Sequence, residues 1–342
     1  MSFMDDKEIH LLNTVSFPDI LESKVAAVSP RLVVHAHPTR NTELLPEDVL
    51  EKAEILYTID TLPDPDLVPN LRWIQLHYAG IDNVLEHPLL DADILITTMS
   101  GASAPQMAEF VLAQMLALGH HIISYTSDPP KIRWAEDRYR RYQPKELRGS
   151  TVGIVGYGSI GREVARICHA FGVSVLAIKR DLKRLDDEEY IVEGLGDPAA
   201  EIPDRIYPPE AIRSMVALCD FVVITLPLTS TTRGTIDKSV LEAMKPGAYL
   251  IDVSRGGILD QGALVEVLNE GAIAGAALDV YPIEPLPESS PLWRMPNVII
   301  SPHIAGASDH YLERAVDLFV TNLNRYILDA PLLNLYDPKT GY

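Results

Sequence analysis

Short apolar runs alternate with stretches of helical spacing along most of the chain. In the first hundred residues, helical patches at 19–28 and 46–52 precede apolar runs at 32–36 and 55–59, and two more runs follow at 71–76 and 94–98. This alternation predicts a parallel sheet flanked by helices. Pro63, Pro65 and Pro69 mark the loop between the second and third of these runs. Residues 104–119, APQMAEFVLAQMLALG, are apolar on nearly all sides, which predicts a helix buried between two bodies. A second series follows, with strands expected at 151–155, 173–178, 221–226, 248–253, 274–278 and 298–301 and helices at 209–218 and 261–269. Residues 307–328 read as a long terminal helix that returns to the first domain. The fold class is α/β, with the first domain discontinuous in sequence.

The segment TVGIVGYGSIGREVARICHAFGVSVLAIKR, residues 151–180, reads as strand, glycine-rich turn, helix and strand. Gly156, Gly158 and Gly161 supply a GxGxxG turn within Gly156, Tyr157, Gly158, Ser159, Ile160 and Gly161. In a dinucleotide site the first glycine permits the turn, the second lets a pyrophosphate approach the backbone, and the third lets the helix pack on the sheet. The helix N-terminus then presents amides and its positive dipole end to the phosphates. Val164, Ile167, Cys168 and Phe171 continue at helical spacing and Gly172 ends the helix, so the context supports a nucleotide site over an ordinary glycine turn.

The end of the second strand bears on which nucleotide. Eighteen residues after the last glycine, where an NAD site places an acid for the ribose hydroxyls, this chain has Lys179 followed by Arg180. Two cations suit a 2'-phosphate, with Arg184 as a third contact, and NADP is favoured over NAD. The alternative is that both are solvated charges paired with Asp181.

Composition adds bounds. The chain has 342 residues, 47% of them apolar and 23% charged, enough for two ordinary globular cores. A formal charge of −19 argues against nucleic acid as the main partner. The densest basic cluster, Arg133, Arg138, Arg140, Arg141, Lys145 and Arg148, is diluted by Glu136, Asp137 and Glu146 and reads as a solvated linker face. Cys168 and Cys219 sit in apolar stretches and read as buried reduced thiols rather than a disulfide or metal pair. The start, MSFMDDKEIHLLNT, lacks the cations and apolar run of an export signal, and no stretch approaches a membrane span, so a cytoplasmic location with no membrane contact is expected. No metal-ligand cluster is evident. Residues 186–207 are acidic and broken by Gly194, Gly196, Pro198 and Pro203; they read as a surface excursion with no assigned function.

Four polar positions fall where the later strands should end, on the ligand side of an open α/β sheet: Arg255, Asp279, Glu284 and His303. At this point the chain resembles a known family. The run LPLTSTTRGTIDKSVLEAMKPGAYLIDVSRGGILDQGALVEVLNEGAIAGAALDVYPIEPLPESSPLWRMPNVIISPHIAG, residues 226–306, is similar to the D-isomer-specific 2-hydroxyacid dehydrogenases. The glycine loop, the helix from Ala104 and the segment YAGIDN at 78–83 extend the likeness over most of the chain. It implies two doubly wound parallel-sheet domains: a Rossmann dinucleotide-binding domain, residues 103–306, inserted into a flavodoxin-like substrate domain, residues 1–102 and 307–342.

The resemblance implies an active site of Arg255, Glu284 and His303, here 29 and 19 residues apart. Reducing a 2-keto acid needs a hydride for carbon and a proton for oxygen, and a histidine exchanges that proton near neutral pH. A carboxylate beside the imidazole favours its charged form and fixes the ring, which suits Glu284. A guanidinium can grip the substrate carboxylate at two points, which suits Arg255. By the same likeness, the amides of Ala79 and Gly80 hold that carboxylate, Pro227, Thr229 and Thr232 line the cofactor, and Asp279 accepts from the nicotinamide carboxamide. A strand-end Asp capping the next loop is the competing reading for Asp279. Asp252 departs from the family, which mostly has Asn there.

The expected activity is interconversion of a small 2-keto acid and its D-2-hydroxy acid with NADP or NAD in a cleft between the domains, by a homodimer. Glyoxylate and hydroxypyruvate reductases are the leading subgroup. A phosphoglycerate substrate fits less well, because Arg31, Arg40, Lys52 and Arg72 are scattered. A different class remains open, a cofactor-sensing interaction protein like the family's corepressor branch. A hydrolase that borrows a bound NAD lacks support from the segment 255–303.

Overall fold

The computed structural model describes residues 7–187, 189–338 and 341. The first six residues, part of the start read for export features, and Glu188 of the acidic excursion lie outside the described residues, as do residues 339, 340 and 342 of the expected substrate domain. The chain forms two compact units, one of residues up to Ala102 together with those from Ser308, the other Ser103–Ala307.

In the first unit, β1 (Ile9–Asn13), β2 (Leu32–Ala36), β3 (Ile55–Thr58), β4 (Trp73–Leu76) and β5 (Leu95–Thr97) form one parallel sheet in the order β2-β1-β3-β4-β5. This is the flavodoxin-like order. β3 and β4 are buried at every position, as strands of a parallel sheet covered on both faces should be, and the buried amide of Gln75 in β4 is satisfied by Leu76 O and Thr97 O. β1 is not anticipated by the apolar pattern: IHLLN is five residues with polar ones at His10 and Asn13, yet it pairs with both β2 and β3. The terminal helix runs Tyr311–Ile327, shorter than the expected 307–328. Its buried stripe includes Tyr311, Ala315, Leu318, Phe319 and Leu323.

The second unit contains β6 (Thr151–Val155), β7 (Ser174–Ile178), β8 (Arg205–Tyr207), β9 (Phe221–Ile224), β10 (Tyr249–Asp252), β11 (Gly275–Leu278) and β12 (Val298–Ile300). They form a parallel sheet ordered β12-β11-β10-β9-β6-β7-β8. Counted from β6 this is the dinucleotide-binding order 3-2-1-4-5-6 with a seventh strand at the edge. Seven strands replace the six expected, because β8 is recruited from the end of the acidic excursion. The strand period of two sends Val152, Ile154, Val223 and Ile251 to one face of the sheet and Val155, Val222, Ile224 and Leu250 to the other.

The helix Ala104–Gly119 packs on the first of these faces with Ser159–Ala170. Its buried positions Met107, Val111, Met115 and Leu118 form one stripe, while Glu109 and Ala113 are exposed. It is therefore a one-sided helix of this unit, not one apolar surface all round. Cys168 and Cys219 are both free and buried, and burial pushes each thiol up to about 12. Among the described residues, no helix is long and apolar enough to cross a membrane.

Candidate active site

The strand order of the second unit reverses between β6 and β9, and ligands of open α/β sheets bind outside the carboxyl ends of strands at such a point. The glycine loop starts there. Gly156 has φ +110, and a Cβ on it would stand 3.0 Å from the backbone carbon of Thr225 after β9. Thr225 ties the two strand ends by donating from its hydroxyl to Gly156 O at 2.7 Å. A Cβ on Gly161 would stand 2.3 Å from Gly156 O, so only glycine lets the helix sit this close. Gly158 is different: a Cβ there would meet nothing within 4 Å, which leaves open space in front of the backbone where a pyrophosphate needs it. The helix Ser159–Ala170 starts directly after it, with Ser159 and Ile160 in its first turn. The loop thus fits a dinucleotide. Tyr157 does not offer its amide, which donates to Ile178 O at 3.0 Å.

The acidic excursion is tied to this loop. Arg162, 1% exposed, donates to Asp197 O and to Leu185 O at 2.5 Å, pairs with Asp187 at 3.2 Å and lies 4.9 Å from the Tyr157 ring. Tyr157 donates its hydroxyl to Asp197 Oδ2 at 2.5 Å, and Glu163 accepts from Gly196 N–H at 2.7 Å. Asp197 also accepts from the amides of Glu201 and Ile202. No periodicity marks Asp197 or Arg162 in the sequence, because their partners are distant along the chain. At the end of β7, Lys179 is half-buried and Arg180 exposed. Burial, then the charge of Arg162, lowers the Lys179 ammonium, against the pull of Asp187 and Asp181. Arg184 lies exposed just beyond.

The loops after β9 to β12 carry the rest. Thr232 donates its hydroxyl to Pro227 O at 2.6 Å and accepts from Thr229 N–H at 2.8 Å, so it shapes the loop that holds Pro227 and Thr229. Arg255, half-buried, donates from Nη1 to Ser254 O at 2.8 Å. Glu284 and His303 come together from the loops after β11 and β12, with His303 Nδ1 2.8 Å from Glu284 Oε2. Glu284 Oε1 accepts from Tyr281 N–H at 2.9 Å. Burial works to raise the Glu284 carboxyl, but the hydrogen bonds from His303 and Tyr281, with the nearby charges of His303 and Arg255, hold it below its ordinary value. An ionised carboxylate only accepts, so His303 Nδ1 is the donor and Nε2 is left for a reactant.

His303 adopts φ +53, a left-handed conformation unusual for a side chain with a Cβ. Asp279 explains how it is held. Its buried carboxylate accepts from Ile304 N–H at 3.0 Å, Ala305 N–H at 2.8 Å and Ser301 Oγ at 2.7 Å, gripping the loop on both sides of His303. Tyr281 adds a brace, its hydroxyl lying 2.8 Å from Leu278 O and 2.9 Å from Ser301 O and sharing its one proton between them. Sequence reasoning missed Tyr281, since a tyrosine in a proline-rich loop carries no pattern.

In the first unit, Ala79 and Gly80 follow β4, Ala79 exposed and Gly80 half-buried. The turn is anchored by His77, whose Nδ1 lies 2.6 Å from the Tyr57 hydroxyl and whose carbonyl accepts from the Tyr311 hydroxyl at 2.5 Å. Burial, aided by the charge of Arg40, pushes His77 down to about 4, so it stands neutral.

Comparison with known proteins identifies the family. Residues 112–305 match the model of the D-isomer specific 2-hydroxyacid dehydrogenase NAD binding domain. A glyoxylate reductase of Aeropyrum pernix is 35% identical over 80% of this chain and 79% of its own. A D-isomer specific 2-hydroxyacid dehydrogenase family protein of Aeromonas salmonicida superposes with a TM-score of 0.76 at 30% identity, covering 97% of this chain and 99% of that one. A D-isomer specific 2-hydroxyacid dehydrogenase of Xanthobacter autotrophicus, solved with NADPH and MES, gives 0.75 at 26% identity over 98% of this chain and 100% of its own. With a family model spanning more than half of its length and these relatives covering most of it, the chain belongs to the D-isomer specific 2-hydroxyacid dehydrogenase family, nicotinamide-dependent oxidoreductases of 2-hydroxy and 2-keto acids.

Proposed function

We propose that this enzyme reduces a small 2-keto acid to its D-2-hydroxy acid, with glyoxylate or hydroxypyruvate as substrate and NADPH preferred to NADH. The observation that carries the proposal is the His303–Glu284 pair at 2.8 Å, with the imidazole still open to solvent. When bound, the nicotinamide supplies the hydride. His303 Nε2 gives the carbonyl oxygen its proton, and the carboxylate of Glu284 on Nδ1 fixes the ring and favours the charged imidazole that must act as acid. Arg255 binds the substrate carboxylate, joined by the amides of Ala79 and Gly80, and polarises the carbonyl.

Gly156, Gly158 and Gly161, with Tyr157, Ser159 and Ile160, shape the cofactor loop, and Pro227, Thr229 and Thr232 line its neighbour. Asp279 spends its carboxylate on the His303 loop, and an ionised carboxylate has capacity for a further donor, the nicotinamide carboxamide. Lys179 and Arg180, with no acid at that position, favour a 2'-phosphate. The NADPH-bound Xanthobacter relative supports the same preference. A homodimer is supported by an exposed aromatic arm, in which Trp134 is 75% and Tyr139 78% exposed. A cytoplasmic location is supported by the two free, buried thiols.

The test is an assay crossing NADH and NADPH with a panel of small 2-keto acids. Oxidation of NADPH by glyoxylate or hydroxypyruvate supports the reading. Tight cofactor binding without turnover on any keto acid would instead favour the cofactor-sensing alternative.

A further inference from the structure

Two buried carboxylates stand at neighbouring strand ends, and each grips a loop that carries a residue of the proposed active site. β10 ends at Asp252, and Asp279 directly follows β11, donating its N–H to Asp252 O at 3.0 Å. Asp279 holds the His303 loop. Asp252, 1% exposed, holds the Arg255 loop: its Oδ1 accepts from Ser254 N–H at 3.0 Å and from the Ser254 hydroxyl. Ser254 O in turn accepts from Arg255 Nη1 at 2.8 Å. The Arg255 loop also lies against the Glu284 loop, backbone on backbone, since a Cβ on Gly256 would stand 1.9 Å from Tyr281 O. A shift of Ser254 therefore displaces the guanidinium and presses on the loop that orients His303.

We propose that Asp252 is a positioning residue for Arg255, acting through Ser254 to keep the substrate-carboxylate clamp in register with the His303–Glu284 pair. The inference rests on the keto-acid reductase reading above. It carries a pH dependence with it. Burial pushes Asp252 up to about 7, the Ser254 hydrogen bonds opposing and the charge of Asp279 adding to the rise. The titratable groups facing it are Asp279 from the end of β11 and Tyr281, whose phenol Asp252 helps to raise; on the β9 side its register partner is Ile224. Above about pH 7 a second negative charge therefore appears beside Asp279, under both loops. An asparagine keeps the Oδ1 acceptor and never acquires that charge.

The experiment compares the wild-type enzyme with Asp252→Ala and Asp252→Asn in NADPH-dependent glyoxylate reduction between about pH 6 and pH 8, a span that brackets the raised carboxyl. Asp252→Ala is expected to raise KM for glyoxylate about tenfold, the loss of one charge-assisted contact, with the NADPH Kd nearly unchanged. Asp252→Asn is expected to restore KM toward the wild-type value and to remove the wild-type change in KM across neutral pH. Should Asp252→Ala not fold, Ser254→Ala removes the same hydroxyl contact from the other side and is expected to raise KM likewise. A normal KM in the alanine variants, or an asparagine variant as impaired as they are, overturns the proposal while wild-type turnover leaves the functional reading standing. Absence of wild-type turnover on every keto acid overturns that reading, and this inference with it.

Discussion

His303 Nδ1 stands 2.8 Å from Glu284 Oε2, and the two side chains keep 44% and 36% of their surface open to solvent. An ion pair placed for stability alone gains little at such exposure. This one is nevertheless built with care, from loops on two adjacent strands, a left-handed backbone at His303 and a buried aspartate gripping the residues beside it. The hydrogen-bonded Glu284 carboxyl, held below its ordinary value, contributes its share above the unfolded value and loses it as pH falls through the folded one.

Replacing His303 with Ala removes the proposed proton donor and leaves the glycine loop intact. Turnover with glyoxylate is expected to fall by about a hundredfold to ten-thousandfold, with NADPH affinity little changed. Steady-state kinetics and a fluorescence titration of NADPH check the two halves separately.

The glycines of the loop separate stability from binding. Gly161→Ala places a Cβ 2.3 Å from Gly156 O and 3.0 Å from Ile154, and the overpacking is expected to cost about 1–3 kcal/mol, read as a lower melting temperature. Gly158→Ala meets no protein atom within 4 Å. It is expected to leave the melting temperature of the cofactor-free protein unchanged while weakening NADPH binding. Equal losses of stability in both variants would place the role of Gly158 in folding instead.

Much of this architecture is legible in the apolar pattern, because strands covered on both faces are mostly apolar, as β9 is throughout and β3 and β6 are apart from a threonine at one end. Of the strands it misses, β1 is broken by His10 and Asn13, and β8 is only three residues with Arg205 at its start. Their membership depends on pairing with neighbours, a non-local fact. Arg255, Glu284 and His303, the residues of the proposed site, are singled out by their flanking sequence and their place at strand ends. The shell around them is not: the grip of Asp279 on the His303 loop, of Asp252 on Ser254 and of Arg162 on the excursion exists only after the strands are laid side by side. The helix Ala104–Gly119 misleads for the opposite reason, since Phe110, Leu112, Ala113 and Leu116 make its sequence apolar on nearly all sides while the fully buried positions form one stripe.

Lys179→Asp places an acid where an NAD site has one. NADPH is expected to bind at least about tenfold more weakly through lost and reversed charge, while NADH changes little. The ratio of kcat/KM for the two cofactors measures it, and an unaltered ratio would show that the 2'-phosphate is held elsewhere.

The most direct test of the account is the pH profile of kcat/KM for glyoxylate reduction in Glu284→Gln beside the wild type. Without the carboxylate, His303 loses the acceptor that fixes its ring and leaves Nε2 facing a reactant, so kcat/KM is expected to drop about tenfold or more across the profile. An unchanged profile with unchanged turnover would contradict the claim that Glu284 keeps His303 ready to donate its proton.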